Sequence, residues 1–209
     1  MIRICLFIFC LCIGFYGEQA HAIKPTKVSG MPSGLYKSDP AHTSLIWKVD
    51  HLGLSNYTAR FTDVDIDLMF DAQNPLKSRV RATVDPTSIE THYPDKDKKD
   101  FNKKLAFEAG WFNANKFPTI TFRSTSITKT DDKKGTMIGD VTLLGITKSI
   151  TFDVIFNKAI GNHPLKNKPV LGFSATGKLK RSDFGMTTYL PQIGDMINVV
   201  IETEFLYTN

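Results

Sequence analysis

The sequence of 209 residues predicts an all-β protein, an antiparallel sheet of about eight strands with one short amphipathic helix. Three observations carry that expectation. Apolar side chains recur at every second position through most of the chain after Tyr36, as in strands that bury one face. Short polar or glycine-containing links, such as Asp131-Asp132-Lys133-Lys134-Gly135 and Gly145-Ile146-Thr147, suit hairpins. A single segment reads as helix, so the crossover helices that parallel strands require are missing.

Taken in order, residues 39–53 (DPAHTSLIWKVDHLG) contain the first clear strand, with Leu45, Trp47, Val49 and His51 on one face. In DVDIDLMF, Val64, Ile66, Leu68 and Phe70 oppose Asp63, Asp65 and Asp67. RVRATVD sets Val80, Ala82 and Val84 against Arg79, Arg81 and Thr83, and TITFRSTSI groups Ile120 with Phe122. GTMIGDVTLLG is a strand with less regular alternation. SITFDVIF then aligns Ile150, Phe152, Val154 and Phe156, and LGFSATGKL aligns Leu171, Phe173, Ala175, Gly177 and Leu179. MINVVIETEFLY closes the series with Ile197, Val199, Ile201, Thr203 and Phe205. The exception is YPDKDKKDFNKKLAFEAGWF. There Phe101 and Leu105, four apart and flanked by lysines, predict a helix over 97–105, stopped near Gly110.

The N-terminus points to export. Arg3 precedes an apolar run over 4–13, too short to cross a bilayer, and Ala20-His21-Ala22 offers small residues for cleavage. Residues 1–22 therefore read as a signal peptide, 23–34 as a Pro/Gly/Ser-rich leader, and 35–209 as one domain that is periplasmic or secreted. All three cysteines fall in the signal segment, so thiol chemistry is not expected of the mature chain. A net charge of +5 suits anionic ligands or a membrane surface and is too small to argue for nucleic acid.

Familiar catalytic and metal-binding patterns do not fit. Asp63, Asp65 and Asp67 resemble the start of a calcium loop, but Leu68 and Asn74 stand where such a loop needs glycine and glutamate, so a wet strand face explains them. His42, His51, His92 and His163 form no close pair that would hold a metal, and there is no serine-nucleophile elbow or glycine-rich phosphate loop. No metal and no cofactor is expected. On periodicity alone, the aromatic residues either fill a sandwich or line a barrel around an elongated ligand.

Several motifs bear on that choice. Asp39, His42, Thr43, His51 and Gly53 in DPAHTSLIWKVDHLG, together with ARFTDVDIDLMFD, VDPTSIETH, FNANKFPTITFRS, GDVTLLGITKSITFDV, KLKRSDFGM and IGDMINVVIETEF, resemble in order the motifs of the YceI family. Ala59 stands where glycine is usual, and Met196 where Glu or Lys is common. The resemblance implies a lipocalin-like antiparallel β-barrel that holds a polyisoprenoid or other long-chain amphiphile in its lumen. On that view Leu45, Trp47, Val49, Phe122, Phe152, Phe156 and Phe173 line the bore, with His51 at the end of the inward row. His42, out of phase, makes structural hydrogen bonds at the strand entry. Arg181 and Asp183 stand either at the mouth or as the ties of their own turn. The helix covers one end with Phe101 and Leu105 inward and Lys103 and Lys104 outward, toward a membrane surface or a diphosphate. A dimer would show as apolar outer positions such as Ile46 and Ile155. The expected function is non-enzymatic lipid carriage or sequestration. The alternatives are a hydrolase or isomerase acting on such a lipid, or a filled barrel serving protein contacts.

Overall fold

The computed structural model describes residues 30–95 and 97–208. The signal segment and residues 23–29 of the leader lie outside the described residues. The end of the leader belongs to the domain instead of preceding it. Met31 is buried, the Tyr36 hydroxyl donates to the Pro32 carbonyl at 2.8 Å, and Ser33 Oγ accepts from the Ala72 amide at 2.9 Å.

The strands are β1 (Gly34–Ser38), β2 (Ser44–His51), β3 (Ser55–Phe61), β4 (Val64–Phe70), β5 (Arg79–Val84), β6 (Ile89–Glu90), β7 (Ile120–Lys129), β8 (Lys134–Leu143), β9 (Ile146–Ile160), β10 (Val170–Lys180) and β11 (Ile193–Tyr207). Among the described residues one α-helix, α1 (Phe101–Phe107), lies between β6 and β7. The order β1-β4-β5-β7-β8-β9-β10-β11 returns to β1, so eight strands close a ring, and every pairing is antiparallel. Closure decides for a barrel over a sandwich and leaves the ring without an open edge.

Long β11 makes the closure. Its free edge is shared by two short partners: β1 takes Phe205 to Tyr207, and β2 takes Ile193 to Glu202. Beyond β2 the sheet continues through β3 to two-residue β6, leaving the wall open between β3 and β5. Helix α1 fills that breach, burying Leu105 and Ala106 against Phe61, Val84 and Ile89.

The helix starts four residues later than its pattern predicts. Asp95 first folds a turn by accepting from the Lys98 amide, and Asp100 then caps the helix by accepting from the Lys103 amide at 2.9 Å. An aspartate at this position satisfies an amide that has no partner within the helix, which sets the start more firmly than the lysine-rich segment before it. The chain leaves at Glu108, before Gly110.

The apolar faces gather into three clusters along the barrel. At one end Tyr36, Phe70, Leu171 and Phe205 pack around buried Met31. On the opposite wall Val141, Leu143 and Phe152 meet Phe184. The third cluster holds α1. Asp65 is exposed and Asp67 pairs with Lys37 at 3.0 Å, as the outer face of β4 requires.

Candidate functional site: an apolar lumen with two unlike ends

A cavity of about 680 Å³ runs inside the barrel. Its walls are the inward rows of the strands: Leu45, Trp47 and Val49 on β2, Phe122 on β7, Phe152 and Phe156 on β9, and Phe173 on β10. His51 ends the β2 row at the same cavity, and Phe101 and Leu105 of α1 complete the wall. Its size is that of a small-ligand pocket, typically roughly 300–1,000 Å³.

Two glycines keep the bore open. A β-carbon on Gly177 would stand 2.6 Å from the Phe152 ring, and one on Gly139 would run into the Phe122 ring. With hydrogen at both positions the rings lie down against the wall, meeting edge to face with centroids 5.5 Å apart. Larger residues would drive them into the lumen.

The polar ends are unlike. At one end the lining includes the β7–β8 turn, where Asp131 Oδ1 accepts from the Lys133 and Lys134 amides and Lys129 pairs with Asp132 at 2.9 Å. At the other, aromatic rings form a rim. Tyr57 and Tyr93 meet Phe101 at 6.2 and 5.3 Å between centroids, and Trp111 meets Tyr189 at 6.1 Å. The Lys99 ammonium lies 5.1 Å from the Phe101 ring centre. Lys104 belongs to this rim, half-buried and 3.7 Å from Glu108, and does not face outward as its sequence position suggests; Lys103 is exposed.

The turn after β10 corrects one of the two expected mouth residues. Asp183 is exposed and lies off the cavity lining. Arg181 does reach the lining, but its guanidinium is buried and committed to backbone: it donates to the carbonyls of Gly194 (2.8 Å), Ile193 (2.8 Å) and Met186 (3.2 Å). Burial lowers its pKa, partly offset by Asp195. Asp195, not Asp183, holds the turn, accepting from the Ser182 amide and hydroxyl at 2.9 and 2.7 Å. Arg181 is therefore a structural clamp.

Asp39 and His42 form a second polar group, outside the lumen. His42 Nδ1 lies 2.9 Å from Asp39 Oδ2 and 3.8 Å from Glu204, and Lys166 Nζ lies 2.8 Å from Asp39 Oδ2. Burial raises the Asp39 pKa, but the hydrogen bonds from Lys166, His42 and the Ala41 amide outweigh it and hold the carboxyl at about 2. Donor atoms of Asp39, His42 and Glu204 lie within 4.8 Å of one another, a grouping that spacing in the sequence could not show. With Lys166 already on the buried carboxylate, it reads as a staple between the β1–β2 link and the β9–β10 loop.

Comparison with known proteins fits this architecture. The model of the YceI-like domain matches residues 36–205. Protein YceI of Shigella flexneri is 34% identical over 173 residues, covering 81% of this chain and 85% of that protein. The crystal structure of a Campylobacter jejuni YceI protein superposes with a TM-score of 0.67 at 29% identity, covering 78% of this chain and 91% of that one. A polyisoprenoid binding domain from Saccharophagus degradans, implicated in plant cell wall breakdown, shares the fold at a TM-score of 0.58 and 9% identity, over 85% of this chain and all of that one.

Proposed function

The chain belongs to the YceI-like family, and on that premise we propose that its lumen binds a polyisoprenoid or another long-chain amphiphile, to carry or sequester it without chemical change. The observation that carries the proposal is the continuous apolar cavity of about 680 Å³ inside a closed barrel. The polyisoprenoid binding domain from Saccharophagus degradans supports the ligand class.

The physics favours a chain-like ligand. Each CH₂ withdrawn from water contributes on the order of 0.8 kcal/mol, so twenty would give roughly 16 kcal/mol gross. Lost ligand freedom and imperfect packing offset much of this, leaving an affinity on the order of micromolar to nanomolar. Apolar walls sense area and discriminate chain length weakly, so a few polar atoms must select the head group.

Binding is the reading we favour over catalysis because the lining is overwhelmingly apolar, with His51 its one histidine among the described residues. The location we propose is periplasmic or secreted, resting on the N-terminal signal pattern.

Organic extraction of purified protein, followed by mass spectrometry, tests the proposal. A prenyl or acyl lipid at near one per chain is expected, and its loss in Trp47→Arg with the circular dichroism spectrum unchanged. Protein that carries no lipid and takes none up would overturn it.

A further inference from the structure

We infer that the aromatic end of the barrel is a docking face for an anionic lipid bilayer, through which the ligand enters and leaves; the inference rests on the reading of the lumen as a lipid site. Three observations converge there.

The first is a group of exposed apolar side chains on adjoining loops. Leu52 and Leu54, in the β2–β3 turn, are 53% and 81% exposed, and Tyr189 is 60% exposed. These residues form one surface. The Leu52 amide donates to the Gln192 carbonyl at 2.9 Å, which ties the hairpin tip to the loop that carries Tyr189. Scattered exposed leucines need no explanation, but two on one tip beside an exposed tyrosine make a patch.

Second, the patch borders the cavity. Tyr189 and His51, the residue before Leu52, line the lumen, and Trp111, Phe101, Tyr93 and Tyr57 continue the lining around the same end. The Thr188 hydroxyl donates to the Gly110 carbonyl at 2.8 Å, joining the Tyr189 loop to the segment after α1. Tyrosine and tryptophan place an apolar ring and a polar tip in one side chain, which suits the headgroup boundary of a bilayer.

Third is the charge beside the rim. Residues 95–108 hold five lysines against four acids, Asp95, Asp97, Asp100 and Glu108. Asp95 is matched by Lys98 at 3.0 Å and Glu108 by Lys104 at 3.7 Å, Asp100 caps the helix and Asp97 is exposed. Lys99 and Lys103 are exposed beside them, and the whole chain carries +5. Lysine stems lie along apolar surface while their ammonium groups reach anionic headgroups.

At the far end the lining carries the charged turn Asp131, Asp132, Lys133 and Lys134. Exposed apolar residues there, Leu165 (84%) and Met69 (53%), lie off the lining on separate elements, with no aromatic rim beside them among the described residues. A long-chain ligand partitions almost wholly into membranes, so a mouth that meets the bilayer spares the chain a passage through water.

The test uses the full chain and the double variant Leu52→Ser/Leu54→Ser, neither residue lining the cavity. Sedimentation with phosphatidylcholine vesicles, with and without phosphatidylglycerol, reads docking directly. Ubiquinone uptake, measured from those vesicles and separately from detergent, reads the lumen. The expected result is binding to the mixed vesicles that falls on the order of tenfold or more in the variant, with slower uptake from vesicles and unchanged uptake from detergent. Equal vesicle binding by parent and variant would overturn the inference, as would a parent dimer that the substitutions dissociate while vesicle binding persists. Vesicle binding that depends on Leu52 and Leu54 in a protein that takes up no ubiquinone from either source would support docking and fault the lumen reading instead.

Discussion

The two ends of the barrel are built from the same kind of strand and solve opposite problems. Where β1 sits between β4 and β11, backbone pairing is complete and Tyr36 and Leu171 have no exposed surface. Where β2 and β3 leave the ring, the wall is finished by α1, two loops and a set of aromatic rings that border the cavity. A sealed end resists the loss of volume poorly. The aromatic end already borders a hollow, so truncation there removes contact from one side only. The difference separates residues that hold the fold from residues that serve the lumen.

Arg181 crosses the division most sharply, because it lines the cavity yet holds structure. Arg181→Met should cost roughly 3–5 kcal/mol in urea unfolding, because the carbonyls of Gly194, Ile193 and Met186 lose their donors in a buried place. A loss well under that range would return Arg181 to the list of ligand contacts. Leu171→Ala, at the sealed end, should cost about 3 kcal/mol, while Leu45→Ala, on the lumen wall, should cost clearly less and weaken lipid uptake instead. Equal losses would mean that the two walls are equally packed.

Acid titration reads the outer staple directly. A carboxyl held at about 2, against 3.8 in an unfolded chain, contributes stability that is full above the unfolded value and lost as pH falls through about 2. The contribution is about 2 kcal/mol. Asp39→Asn should remove it and flatten the stability profile between those pH values, without altering lipid uptake. Gly177→Val, which displaces the Phe152 ring toward the bore, should cost about 1–3 kcal/mol, a change no larger than that of Leu171→Ala. Its signature is functional: the lumen should accept a shorter chain, readable as a drop in the mass of extracted lipid.

The strands that bury one face were legible because alternation survives whatever lies opposite, and the row of Leu45, Trp47, Val49 and His51 is the clearest case. Strand β1 was hidden because in GLYKS the inward partner of Tyr36 is Ser38, a buried polar residue whose hydroxyl accepts from Ile66. Strand β3 opens with exposed Ser55 and Asn56, and only Tyr57, Ala59 and Phe61 turn inward, too short a row for alternation to stand out. Residues of the aromatic rim on loops, Tyr93, Trp111 and Tyr189, carry no periodic signal, so only the fold could gather them. Arg181 and Asp183 show the same limit. A sequence places both in one turn, but which of them turns inward depends on the carbonyls of the segment from Met186 to Gly194, and those exist as a set only after folding.

For a chain-like ligand inside the lumen, the protein carries its own probe. Both tryptophans, Trp47 and Trp111, line the cavity. Titration with ubiquinone, a quencher of indole fluorescence, should therefore extinguish most of the emission and saturate at one quinone per chain. Emission that falls only in proportion to free quinone, without saturation, would contradict an accessible lumen.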